Sequence, residues 1–412
     1  MTIPQKSVSR RAALLAGGGV VGGIGLGLEG ANAALAAGGS NSGIVTVDSF
    51  PGPTDDAKFQ SAVSFAASQT YPPAIQFLNR SYVLSTPVNC FAGFRMIGPF
   101  GEGISNAELG STKSKMCAVN LSTNGVFLNV TGGDAWDNYI GGLCFLGSSR
   151  TTFMSSTDGS SCWHCSKMHD VSFHGFRTVL GSQTQKLLIL ASQIDGWFEI
   201  GGTYNGGMHI GGSDSRLFMD GALIDSSTAY LSAGGATGQY HLWCEGMDNS
   251  TVGPMYITAE AGWGGLRVTG MAYNSDASGN LAMLTFSPGL VVEGRSANAP
   301  CDGSVIRVDG GNVHITHAYI ARAMYSPATM GHSPADAGAV MVTGGTLTLR
   351  DCIYDRYSGQ PETDYFVYTS SSGPVQVTGT TVATKGGTWT GLPQVHNAGA
   401  GQLLTDSLVT EV

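Results

Sequence analysis

"VIRVDGGNVHITHAYIAR" (residues 305–322) returns 34 positions later as "VMVTGGTLTLRDCIYDR" (340–356). Val308 falls on Val342, Val313 on Leu347 and Arg322 on Arg356. "YTSSSGPVQVTGTTVA" (368–383) repeats the pattern a further 28 positions on. Within each run apolar and polar residues alternate, the period of a strand with one buried face. Such a unit cannot bury its apolar face alone, but stacked units bury a continuous core.

Upstream, "GMHIGGSDSRLF" (207–218) pairs with "QYHLWCEGMDNSTV" (239–252), His209 aligning with His241 and Asp214 with Asp248 after a two-residue insertion. Cys90, Cys117 and Cys144, each 27 residues apart in similar settings, suggest equivalent positions on successive turns. Turns of unequal length describe a parallel β-helix with loops of different size. Nine or ten coils would fit between residues 74 and 400.

Composition agrees. Gly accounts for 61 residues, about twice its usual share, and only 12 % of the chain is charged. Val, Ile, Thr, Ser and Tyr run throughout, which favours short strands with tight corners. The net charge of −9, with no Lys/Arg cluster beyond the first dozen residues, argues against a nucleic-acid partner. A neutral ligand such as a sugar suits this surface better.

Residues 1–36 read as an export leader. Lys6, Arg10 and Arg11 precede a Gly-rich apolar stretch, "ANAALA" offers small-residue cleavage sites, and "SRRAALL" resembles a twin-arginine signal. Residues 37–53 are expected to link this leader to a single β-helix domain, 54–412. No later apolar run is long enough to span a bilayer. "TDDAKFQSAVSFAASQ" (54–69) predicts a helix with Asp55 and Asp56 in its first turn and Phe59, Ala62, Val63 and Ala66 on one face.

The order "DDAKFQSAVSFAA…AIQFLNRSYVLSTPV…FRMIGPFG" resembles the opening of pectate-lyase-like, single-stranded right-handed parallel β-helix proteins. That superfamily includes polysaccharide lyases, glycoside hydrolases and bacteriophage tailspikes. The resemblance covers residues 54 to 103 and implies an all-β, right-handed parallel β-helix with an N-terminal capping α-helix. It also implies a parallel homotrimer.

Carboxylates stacked on neighbouring coils would suit glycosidic chemistry, one protonated and one ionised. The richest stretch is 195–267, with Asp195, Glu199, Asp214, Asp220, Asp225, Glu245, Asp248 and Glu260. Asp214 and Asp248 read as turn-capping residues, and His209 and His241 as stacked scaffold. Glu245 falls in the insertion, so the repeat does not demand it; Glu260 precedes a Gly-rich corner. The catalytic candidates are therefore Glu245, Glu260 and Asp248. Trp243, Trp263, Tyr256, Trp197 and Arg267 are the substrate-binding candidates, the aromatics offering flat faces for sugar rings. His164, His169 and His174, at five-residue steps, do not share one strand face, and "CWHC" (162–165) lacks a second C-x-x-C. No metal or cofactor is expected. Asp351, Asp355 and Arg356 read as a structural ion pair. The polygalacturonase signatures, the G-x-S-x-G elbow, the P-loop and the EF-hand loop are absent.

These features lead to an exported protein that cleaves glycosidic bonds in an extracellular or cell-envelope polysaccharide. Hydrolysis is favoured over elimination because Lys and Arg are sparse near the acidic stretch. The β-helical inulin fructotransferases are a further compatible enzyme class. The rival reading is a virion-associated minor tail or tailspike protein that binds host-surface glycan. A non-catalytic adhesin or surface-layer component is a third.

Overall fold

A computed structural model describes residues 43–99, 118–182, 185–201, 207–218, 222–225, 240–259, 264–270, 283–286, 288–294, 304–322, 338–356, 365–384 and 395–406. The expected leader lies outside the described residues.

The chain is a parallel β-helix closed at its N-terminal end by a helix, and every strand pairing among the described residues is parallel. Each coil contributes strands to three faces. Sheet A runs from Ile44–Thr46 to Leu403–Thr405, sheet B from Ser81–Leu84 to Thr381–Thr384, and sheet C from Val88–Asn89 to Val395–Asn397. Residues 44–46, expected within a linker, form the first rung of sheet A, in register with Ala74–Gln76. Among the described residues sheet A has thirteen rungs, beginning at residues 44, 74, 95, 139, 167, 193, 216, 250, 283, 312, 346, 375 and 403. Ten full turns separate the rungs that begin at 74 and 375, in agreement with the nine or ten coils expected between residues 74 and 400.

The capping helix spans Asp55–Ala67 and buries Phe59, Ala62, Val63 and Ala66, the face its spacing predicted. Thr54 caps it, Oγ1 accepting from the Ala57 N–H at 3.1 Å. Arg80 ties the helix start to the first coils through Asp48 (2.5 Å) and Asp55 (2.7 Å).

The core follows from strand alternation. On sheet C one inward column runs Leu128, Met154, Leu180, Met208, Leu242, Leu266, Ile306, Val340, Val367, all at most 1 % exposed. Each such side chain contributes about 1.5–3 kcal/mol of burial. In the early coils phenylalanines pack across rungs, Phe145 stacked on Phe173 at 5.4 Å and Phe173 tilted against Phe198 at 5.7 Å.

The corner leading into sheet A is built on a repeated device. Asp137, Cys165, Ala191, Asp214 and Asn249 all have positive φ, between 43° and 53°. The next residues, Asn138, Ser166, Ser192, Ser215 and Ser250, point inward and are at most 3 % exposed. Each accepts a hydrogen bond from the backbone one coil earlier. Phe94 N–H donates to Asn138 Oδ1, Asn138 N–H to Ser166 Oγ, Ser166 N–H to Ser192 Oγ, Ser192 N–H to Ser215 Oγ and Ser215 N–H to Ser250 Oγ, at 2.8–3.3 Å. The turn thus satisfies buried N–H groups that would otherwise go unpaired.

The corner also corrects the repeat alignment. Asp214 shares its corner conformation with Asn249, not Asp248, and His209 lies in register with Trp243, not His241. The insertion is one residue: Ile210 faces Cys244 and Gly212 faces Met247, so Gly211 alone opposes Glu245 and Gly246. Cys144 lies opposite Ala118, whereas the Cys90 N–H bonds Asn129 O, so Cys90 and Cys144 do not share a column. Cys117 lies outside the described residues.

Candidate functional site

Outward residues of sheet C form one charged and aromatic ladder. Its column reads His209, Trp243, Arg267, Arg307, Met341, Tyr368, His396. At the inter-strand spacing of about 4.8 Å, rings on adjacent coils stack. His209 lies on Trp243 with centroids 3.9 Å apart and planes 6° apart. Arg267, one coil beyond, places its guanidinium carbon 4.8 Å from the Trp243 ring centre. Both faces of the indole are therefore taken, and its Nε1–H donates to Thr269 Oγ1 at 2.7 Å. Trp243, expected to offer a flat face to a sugar, offers an edge.

Glu245 is equally engaged. Its Oε1 lies 3.2 Å from Lys186 Nζ and its Oε2 2.7 Å from His209 Nε2, while His209 Nδ1 meets Ser182 O at 2.8 Å. Burial alone would raise its pKa, but the His209 hydrogen bond and the Lys186 charge outweigh burial and hold the carboxyl below its ordinary value. Asp309, facing the same ladder, accepts from Arg267 (2.9 Å), Arg307 (2.6 Å) and Thr343. Burial again acts upward on its pKa, and the Thr343, Arg307 and Arg267 contacts bring it down. A hydrolase needs one carboxyl kept protonated, and these two are held ionised.

Of the other sequence candidates, Tyr256 lies on a different face, sheet B. Glu260 and Trp263 lie outside the described residues. Asp248 and Trp197 are placed by their backbones on Tyr240–Asp248 and Gln193–Gly201, their side chains lying outside the described ones.

Sheet A carries a second cluster, of which the sequence candidates had included only Asp195, as part of the acidic stretch. One outward column runs Arg95, Tyr139, Lys167, Gln193, Arg216, and the next runs Ile97, Gly141, His169, Asp195. Asp195 gathers three donors: His169 Nδ1 at 2.5 Å, Lys167 Nζ at 2.9 Å and Gln193 Nε2 at 2.7 Å. His169 Nε2 lies 3.1 Å from Asp170 Oδ2. Asp170 has φ 51° at a corner where the coils on either side use Gly142 and Gly196, both also at positive φ. Its carboxylate leans over Gly196, where a Cβ would sit 2.3 Å from Asp170 Oδ1. Tyr139 folds over Gly141, its hydroxyl 2.5 Å from where a Cβ would be, and Gly141 is in register with His169. Burial holds the Tyr139 phenol above its usual pKa; Lys167 opposes, and Asp170 and Asp195 reinforce. Arg216 is exposed at the far side. An oriented imidazole, a neutral phenol and cations from three coils thus meet on one face.

On sheet B, Tyr256 Oη donates to the buried Glu293, and Tyr319 Oη donates to Asp355 at 2.6 Å. Glu293, Ala321 and Asp355 share a column, so the two carboxyl groups stand two coils, roughly 10 Å, apart. Of the residues read as a structural ion pair, Asp351 lies 3.2 Å from Arg350, and the Arg356 side chain lies outside the described ones.

The C-x-x-C stretch does not gather metal ligands. Asp134 accepts the Cys162 N–H at 2.9 Å, His164 stacks on Trp136 at 3.5 Å, and Cys165 occupies the exposed corner. Among the described residues no group of three or more His, Cys, Asp or Glu side chains could hold a metal ion.

No family model and no curated protein matches the chain. Solved structures do. The catalytic unit of a GH87 α-1,3-glucanase from Streptomyces thermodiastaticus is 13 % identical, covering 91 % of this chain and 69 % of its own, with a TM-score of 0.38. The mannuronan C-5 epimerase A-module of Azotobacter vinelandii is 10 % identical over 87 % of this chain and 91 % of its own, TM-score 0.39. The Agl-KA catalytic domain is 12 % identical over 89 % and 69 %, TM-score 0.33. No residue role transfers at that level.

Proposed function

We propose that the chain is an exported enzyme that cleaves an acidic extracellular or cell-envelope polysaccharide, and that it does so by elimination at the sheet A cluster. The observation that carries this reading is His169, held by Asp195 and flanked by Lys167, Asp170 and Tyr139. It reverses the preference for hydrolysis, which rested on a scarcity of cations near the acidic stretch. Cations brought in from separate coils supply them at this face.

Asp195 at Nδ1 orients the imidazole and leaves Nε2 as the basic position. That nitrogen contacts Asp170 Oδ2 at 3.1 Å, a contact in which it donates; as base it gives up that contact and turns its lone pair to the substrate's C–H. Lys167 and Arg216 offset the uronate carboxylate, which acidifies the adjacent C5–H. His169 Nε2 takes that proton, the C4–O bond breaks as the C4=C5 double bond forms, and the Tyr139 phenol protonates the leaving oxygen. Water is not consumed; afterwards His169 releases the proton it took and Tyr139 regains the one it gave, both by exchange with solvent.

The test is a panel of alginate, polygalacturonate and hyaluronan with dextran as neutral control. Reducing ends and the ultraviolet absorbance of the unsaturated product are followed together. Both should rise on an acidic polymer and fall with His169→Ala. Reducing ends without the absorbance would sink elimination and support a second reading, hydrolysis at sheet B. There the separation of Glu293 and Asp355 approaches the roughly 6.5–9.5 Å of inverting glycosidases. Cleavage of nothing, with retained adhesion to a glycan, would favour the tailspike or adhesin role.

A further inference from the structure

The corner beside the sheet A cluster carries an aromatic surface that the proposed chemistry leaves unused. Trp136 is 45 % exposed. One face of its indole lies on His164, its partner in the next coil, with ring centroids 3.5 Å apart and planes 30° apart. The other face looks toward the previous coil. There the chain turns at residues 91–93, Ala92 is exposed, and the Gly93 N–H bonds Trp136 O at 2.7 Å. Among the described residues no strand continues the Trp136 column on that side. The contrast with Trp243, covered on both faces, is direct.

Polar groups surround this platform. Arg95 Nη2 meets Asp137 Oδ2 at 2.5 Å, and both side chains are substantially exposed, 41 % and 73 %. Asp134, two residues before the indole, is 34 % exposed. Arg95 also lies in register with Tyr139, the proposed proton donor, only three positions beyond Trp136. At strand rise the two are at most about 10 Å apart along the chain. An apolar plate ringed by a carboxylate and a guanidinium matches a pyranose, whose C–H face is apolar and whose edge carries hydroxyls or a carboxylate.

We infer that Trp136, with Arg95 and Asp137, forms a subsite for a sugar ring of the acidic polymer, adjoining the bond cleaved at Tyr139 and His169. The inference rests on the proposed function for the direction of the chain, but the platform binds whether or not cleavage follows. The subsite lengthens the grip on the polymer and does not take part in proton transfer.

The experiment uses the full chain. Binding of alginate, polygalacturonate and hyaluronan oligomers is measured by calorimetry in the His169→Ala background, with and without Trp136→Ala or Trp136→Phe. Trp136→Ala should weaken binding of long oligomers about tenfold, Trp136→Phe much less, and the shortest bound oligomer should be indifferent to both. In the active enzyme the Trp136→Ala change should appear in KM with kcat retained. Equal affinity of the Ala and parent proteins for every oligomer bound overturns the subsite, as does a loss confined to kcat. Cleavage with an unchanged Trp136→Ala KM removes the subsite alone. Binding that depends on Trp136 without cleavage keeps the subsite and removes the elimination reading. Absence of binding to every acidic polymer removes both. Circular dichroism of the Trp136→Ala protein separates misfolding from a binding defect, and the Phe variant supplies the folded intermediate case.

Discussion

His209 on sheet C and His169 on sheet A each hold both ring nitrogens against oxygen atoms, yet their surroundings differ. The His209 side chain is 7 % exposed and lies beneath the Trp243 ring, with Glu245 clamped by Lys186 beside it. The His169 side chain is 38 % exposed, bordered by a glycine under its ring and an exposed Arg216 two coils on. The same kinds of residue make a closed strut on one face and an open cluster on the other. What separates them is whether any face, proton or charge is left for a visitor, not which residues are present. A dense motif such as 239–250 can therefore be scaffold.

The sharpest way to break this comparison is to remove one histidine. His169→Ala should lower elimination by about 10²–10⁴-fold with the urea midpoint little changed, as read by product absorbance and unfolding curves. A variant with full activity would return the sheet A cluster to the scaffold class. pH separates the faces next. Buried His241, beside Trp243 in the sequence, has its pKa lowered by burial to about 3, against 6.5 when exposed. Below pH 6.5 the unfolded chain takes up a proton that the folded chain refuses until about pH 3, so stability falls as pH is lowered through that window. His241→Gln should flatten that part of the stability–pH curve measured by chemical denaturation.

Smaller effects sharpen the contrast. Trp243→Ala removes a stacked ring and a hydrogen bond from the strut and should cost about 2–3 kcal/mol of stability. Its kcat should stay within a factor of two; a selective loss of activity would reopen sheet C as the working face. Glu245→Gln touches a pair more than a third exposed on the Glu side, where solvent screening leaves at most about 1 kcal/mol. Its activity should match the parent, and an inactive but stable protein would reverse the assignment.

The capping helix and the coils from 305 to 384 were legible because their periods are regular. Helical spacing put Phe59, Ala62, Val63 and Ala66 on one face, and an offset of 34 put Val308 on Val342, as the register has it. Cys90 and Cys144 misled because rung spacing varies from 21 positions, Ala74 side to Arg95, to 44, Arg95 to Tyr139. The sheet A cluster was in the sequence as "YIGGLCFLG", "KMHDVSFHG" and "QIDGWFEIG", offset by 28 and then 26. It escaped notice because each coil contributes a different residue type. An extra residue at Gly196–Trp197, opposite Asp170, also breaks the third match. Chemistry assembled one residue per coil leaves no local motif; only the register reveals it.

The serine corner has a consequence for how such a chain changes length. Ser166, Ser192 and Ser215 each receive a bond from the coil before and pass one to the coil after, and Ser250 receives the last. The links are interchangeable, since every junction is the same N–H to hydroxyl contact. Excising residues 193–215, from just after one serine through the next, would rejoin equivalent ends and leave the chain of contacts whole. Cutting half that number would strand an inward serine on the wrong side of the wall. Gain and loss of rungs at this corner is therefore quantised in whole turns, while loop length within a turn varies, and the sheet A cluster can be moved along the axis only in those steps.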